Sequence, residues 1–135
     1  MARNRSKKTG KWKIGAHEFY MAMHFAYQYH EWKKELTGLT DTSKAIQYSD
    51  MPKGSLNPDP TGDLVERREH LVRNIDIVEN CARKADPELY EWLMLGVTND
   101  GINYESLRTL KCIPCSRNTY YERRRKFYYL LSKQI

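Results

Sequence analysis

No stretch of this 135-residue chain approaches the roughly 18 consecutive apolar residues that a membrane-spanning helix needs. The basic start is not followed by an unbroken apolar core of the signal-peptide kind, so the expected setting is soluble and intracellular. Cysteine is scarce: Cys81, Cys112 and Cys115 are an odd number in a chain too large for a small secreted scaffold. A disulfide framework is excluded on that count, and reduced thiols are expected. There is no glycine-rich phosphate loop, no nucleophile elbow and no convincing carboxylate pair. No enzymatic activity and no cofactor are therefore expected. Strand patterning and internal repeats are missing as well, which leaves an all-α fold.

Acidic residues are missing from both ends. Residues 1–13 hold Arg3, Arg5, Lys7, Lys8, Lys11 and Lys13 with no acid. Residues 111–135 hold seven basic residues against Glu122 alone. The whole chain has 23 Lys and Arg, 17 Asp and Glu and a net charge of +6. Each end carries +6, so the segment between them carries −6. An acidic body with two cationic ends favours polyanionic partners at those ends.

Three segments follow from the pattern. Residues 1–13 are polar, basic and aperiodic, as in a flexible arm, with Arg3, Arg5, Lys7 and Lys8 as its candidate contacts to nucleic acid. Residues 14–60 combine an aromatic helix with a connector. Nothing breaks a helix over residues 16–36, where Phe19, Tyr20, Met23, Phe25, Ala26, Tyr27, Tyr29 and Trp32 make an apolar surface wider than one stripe. That surface suits a core helix or a subunit interface. Residues 38–60 then read as a Pro/Gly connector with at most a short helical turn near residues 44–48.

Residues 61–135 read as a helical domain. Thr61 or Asp63 is the expected N-cap of a helix reaching about Ala85. Its inward seam is Leu64, Leu71, Ile75, Val78, Ala82 and Ala85, interrupted by Arg68. Asp86-Pro87 stops that helix and starts a short apolar one, which Gly96 and the "TNDG" of residues 98–101 end. Asn103 then caps a helix with Leu107 and Leu110 inward, "KCIP" turns the chain with Ile113 packed inside, and Ser116 caps the last helix. Over residues 103–133 this is the pattern of a helix-turn-helix.

If Tyr120 faces the core of the last helix, Phe127 and Leu131 follow it at the helical period. The opposite face then shows Asn118, Glu122, Arg125 and Tyr129, with Arg117 and Tyr121 near the start. In such motifs the first residues of the second helix meet base edges, and Arg and Asn suit guanine and adenine. Arg123, Arg124 and Lys126 are expected to neutralise phosphates. The candidate DNA contacts are thus Arg117, Asn118, Thr119, Tyr121, Glu122, Arg123, Arg124, Arg125 and Lys126, on double-stranded DNA. A solvated basic face, or a helix-turn-helix that binds only protein, fits the same pattern.

Cys112-x-x-Cys115 has a metal-ligand spacing, but a structural zinc needs two more ligands. Only Cys81 and the scattered His17, His24, His30 and His70 could supply them, and no metal site is expected. His17, His24 and Glu31 recur at seven-residue steps rather than the three or four of a metal-binding helix.

The stretches "SDMPKGSLNPDPTGDLVERRE" and "IPCSRNTYYERRRKFYYLLSK" resemble phage-encoded late-gene transcriptional regulators of the ArpU/RinA type. The C-terminal region of those proteins is similar to the helix-turn-helix of sigma factor region 4. The resemblance spans about residues 49–133. It implies activation of late phage genes by DNA binding near a promoter, contact with RNA polymerase, and the cytoplasm of a bacterial host. By position, residues 116–126 would be the recognition helix and residues 104–110 its support. Pro114 and Cys115 stand in the turn where a glycine is common, and the aromatic "FYYLL" that continues the helix is compatible with a homodimer. The competing readings are a phage-encoded protein-interaction module that inhibits a host nucleoprotein, and a DNA-packaging component.

Overall fold

The computed structural model describes residues 12–48 and 60–135. Among them are six α-helices and no strand: α1 (Ala16–Tyr27), α2 (Tyr29–Tyr48), α3 (Pro60–Ala85), α4 (Tyr90–Thr98), α5 (Tyr104–Lys111) and α6 (Arg117–Ser132). The described residues are all-α, in keeping with the lack of strand patterning.

The aromatic segment is two helices rather than one. Glu18 accepts from the N–H of Gly15 at 3.1 Å and closes the start of α1. The break falls at Gln28, whose N–H turns back to Phe25 at 3.2 Å. Trp32 resumes the helical ladder by donating to the Gln28 carbonyl at 2.9 Å. Phe19, Ala22, Met23 and Ala26 are buried from α1, and Tyr29 and Trp32 from α2.

Helix α2 continues to Tyr48, well past the expected stop near Leu36. Gly38 and the threonines that suggested a loop are poor helix formers, but each costs under about 1 kcal/mol, which a nucleated helix absorbs. Thr37 even bonds back to the Lys33 carbonyl, at 3.1 Å. Residues 49–59 of the expected connector lie outside the described residues.

Helix α3 starts at Pro60, a residue suited to a first helical position, so Thr61 and Asp63 sit within its first turn rather than capping it. Its seam is otherwise as expected: Leu71, Ile75, Val78, Ala82 and Ala85 are buried, whereas Leu64 is half-buried. At its end Asp86 accepts from the N–H groups of Glu88 and Leu89 at 3.0 and 3.3 Å, which shapes the turn into α4.

Helix α6 is the centre of the molecule and packs against α1, α3, α4 and α5. Tyr120, Arg124, Phe127, Tyr128 and Leu131 form its buried side. Phe19 of α1 meets Tyr128 edge-to-face with ring centroids 5.1 Å apart. Gly96 does not end α4 but lies inside it, because the Tyr120 ring runs up against the α4 backbone there.

Candidate nucleic-acid interface

Helices α5 and α6 follow one another across residues 112–116, where a helix-turn-helix is expected, and polar contacts join them. The Asn103 side chain accepts from Ser106 N–H at 2.9 Å, and Ser116 accepts from Thr119 N–H at 3.2 Å, so both predicted N-caps are present. The turn leaves α5 through Cys112 in the left-handed conformation, φ 53° and ψ 49°, a position that favours glycine. Ile113 is buried beneath it. Tyr104 donates from its hydroxyl to the Cys115 carbonyl at 2.6 Å, and its own N–H donates to the Tyr121 hydroxyl at 3.2 Å. The Trp92 indole donates to the Lys111 carbonyl at 2.9 Å, tying the end of α5 to α4.

Leu110, expected inward, is 72% exposed. The inward line of α5 is Tyr104 and Leu107, and a further three-residue step rotates roughly 60° short of a full turn and out of it. That leaves Arg108, Leu110, Lys111, Pro114, Arg117 and Asn118 as the outer surface of the motif. Arg108 and Lys111 are cations that the sequence reading did not assign to the site.

The nine expected DNA contacts divide into two groups. Asn118 is exposed at the N-terminus of α6. Beside it Arg117 lies over the Tyr121 ring at 5.2 Å and is 3.8 Å from Glu105, which also pairs with Arg108. Arg125 and Lys126 are half-buried on the outer flank, and Thr119 is engaged in the cap.

The second group is committed to the fold. Arg124 was expected to face phosphates, yet it is only 7% exposed and lies over the rings of Tyr121 and Tyr128 at 4.8 and 5.9 Å. Arg123 was assigned the same role, but it bonds Asp86 at 3.1 Å and also Glu122. Tyr121 is spent on the backbone of α5.

Glu122 has a further partner that sequence reasoning missed. The Trp12 indole donates to it at 2.8 Å, across 110 positions of sequence. The same indole stacks on Tyr129 with centroids 5.4 Å apart and carries the Lys126 ammonium 5.3 Å above its ring. The end of the basic N-terminal tract is therefore fixed on the outer flank of α6, next to exposed Lys13. The available signal was Trp12 and Ile14, two apolar residues at the end of a polar tract. Ile14 is buried. Arg3, Arg5, Lys7 and Lys8 lie outside the described residues.

Cys81, Cys112 and Cys115 are free thiols. Burial pushes the Cys81 thiol up to about 11 and, with Asp86 nearby, raises that of Cys115. Among the described residues no three His, Cys, Asp or Glu side chains gather as a metal site. His30 bonds Thr98 at 3.1 Å instead. No described helix is long and apolar enough to cross a membrane.

Set against known proteins, the chain matches no family model, no curated protein and no solved structure.

Proposed function

We propose that the chain is a sequence-specific, double-stranded DNA-binding transcriptional regulator without catalytic activity. The observation that carries this reading is the seat of Trp12 on α6, which puts Trp12 and the cation Lys13 beside the basic C-terminal helix of an otherwise acidic chain. Asn118 and Arg125 are the residues assigned to base edges, helped by Arg117. Arg108, Lys111 and Lys126 are assigned to phosphates, in keeping with a first helix that crosses the backbone. A resemblance to ArpU/RinA-type regulators extends the proposal to late phage genes, to contact with RNA polymerase and to the bacterial cytoplasm, and the aromatic end of α6 extends it to a homodimer.

Selection of bound duplexes from a randomised pool tests the reading. One motif should emerge. On that motif Arg125→Ala is expected to lose about 1–3 kcal/mol and on scrambled DNA much less. Lys111→Ala should weaken both duplexes equally and lower the salt slope by about one unit. Failure to enrich any motif would sink the sequence-reading assignment.

A second reading has one observation in its favour. A groove lined by His17, Tyr20, Met21, His24, Phe25, Gln28 and Ile135 crosses α1, and Tyr20 and Met21 are about half exposed within it. Such a surface suits a protein partner. Poor retention of the protein on both heparin and duplex DNA would favour this reading.

A further inference from the structure

A strip along α3 is left uncovered by the other described residues. Residues 65–70 are all exposed, and the apolar side chains of Val65 and Val72 keep 49% and 39% of their surface. Arg68, Glu69, Arg73, Asp76 and Ile77 line a groove of about 450 Å³ around Val72. Two features decide what can cover it.

The first is charge balance. Two arginines and two carboxylates alternate along the strip, so it offers no net field to DNA or to a strongly acidic or basic protein. The second is pairing. Elsewhere on α3, Arg67 is paired with Glu35 and Arg83 with Glu79. Arg68, Glu69, Arg73 and Asp76 make no ion pair among the described residues, although Glu69 and Arg73 stand four apart and suit one. Of these charges, unpaired among the described residues, Arg68 and Asp76 lie at equal distances on either side of Val72, so a second copy running in reverse offers each its opposite.

We infer that this strip is a homodimer interface, in which α3 packs antiparallel on α3 of a second copy with Val72 at the two-fold axis. In an isologous contact, residues equally far from the axis in opposite directions face one another. Arg68, four positions before Val72, then meets the partner's Asp76, four positions after it, and the pair occurs twice. Helical geometry places Arg68 and Asp76 about 40° to either side of Val72, within reach of an arginine side chain. The valines exclude water at the centre, and the charges set the register and the antiparallel sense. The inference is independent of the DNA-binding proposal and is tested without DNA.

Sedimentation or light scattering of the full chain over a wide concentration range should show a monomer–dimer equilibrium. Arg68→Glu and Asp76→Arg should each weaken the dimer about tenfold, from two broken pairs per interface and the repulsion that replaces them. The double variant Arg68→Glu/Asp76→Arg should restore it, a rescue that a merely structural effect would not give. With Cys112→Ser and Cys115→Ser in place, Val72→Cys should oxidise to a disulfide-linked dimer, since only a residue at a two-fold axis meets its own copy. A wild-type monomer at every concentration would overturn the inference. So would a dimer indifferent to the charge changes, or one in which Val72→Cys stays reduced.

Discussion

Gly96→Ala is expected to destabilise the protein by about 3 kcal/mol, with a matching fall in melting temperature. In an ordinary helix interior the same change would stabilise by about 1 kcal/mol, because alanine is the better helix former. The sign reverses because a Cβ at this position would stand 1.9 Å from the Tyr120 hydroxyl oxygen and 3.2 Å from the ring carbon that bears it. Tyr120 cannot swing away: it is fully buried, packed against Tyr104 and Tyr121 with ring centroids 6.1 and 4.9 Å apart. Removing the oxygen should return part of the loss, so Gly96→Ala/Tyr120→Phe should melt above Gly96→Ala alone. Tyr120→Phe by itself should be nearly neutral. Burial holds the Tyr120 hydroxyl at a pKa of about 12, and the oxygen has no partner in hydrogen-bonding geometry, although Arg124 lies near enough to draw that pKa down. A higher melting temperature for Gly96→Ala would show that α4 and α6 do not meet as closely as described.

Arg124→Ala is expected to cost about 2–4 kcal/mol of stability, comparable with emptying a core position. The guanidinium is enclosed among Tyr121, Tyr128 and Tyr120, so truncation removes both a packed stem and a cation facing aromatic rings. Chemical denaturation with matched slopes for wild type and variant would measure the loss. For the fraction that remains folded, the salt dependence of duplex binding should be unchanged. A stable Arg124→Ala protein with a shallower salt slope would instead make Arg124 a phosphate contact.

Arg124 also shows how much of the site could be read in advance. The inward register of α6 was legible from Tyr120, Phe127 and Leu131, and all three are fully buried. The same period places residue 124 on that face, at steps of four and three between Tyr120 and Phe127. Its charge argued for solvent, but three tyrosines nearby provide a setting in which an arginine can be enclosed. The caps Asn103 and Ser116 and the buried Ile113 were legible because they are local: each acts within a few residues of its own position. Gly96 looked like a helix end because its role depends on Tyr120, which is remote in sequence. The length of α2 was hidden by Gly38 and its neighbouring threonines, whose weak local preference is outweighed by nucleation and by packing on α3. Trp12 on Glu122 joins opposite ends of the chain, and no periodicity encodes such a contact.

On the proposed reading, the N-terminal basic tract and α6 act as one duplex-binding surface. The most direct test is the salt dependence of affinity for a duplex, compared between wild type and Trp12→Ala, a variant that leaves every charge in place. Wild type should show a steep fall in affinity with salt. Trp12→Ala should bind about tenfold more weakly at moderate salt, with a slope shallower by about two phosphate contacts, because Trp12 would no longer anchor the end of the basic tract on α6. Identical slopes and affinities would contradict the joint surface, and no duplex binding by the wild-type protein would remove the DNA-binding account altogether.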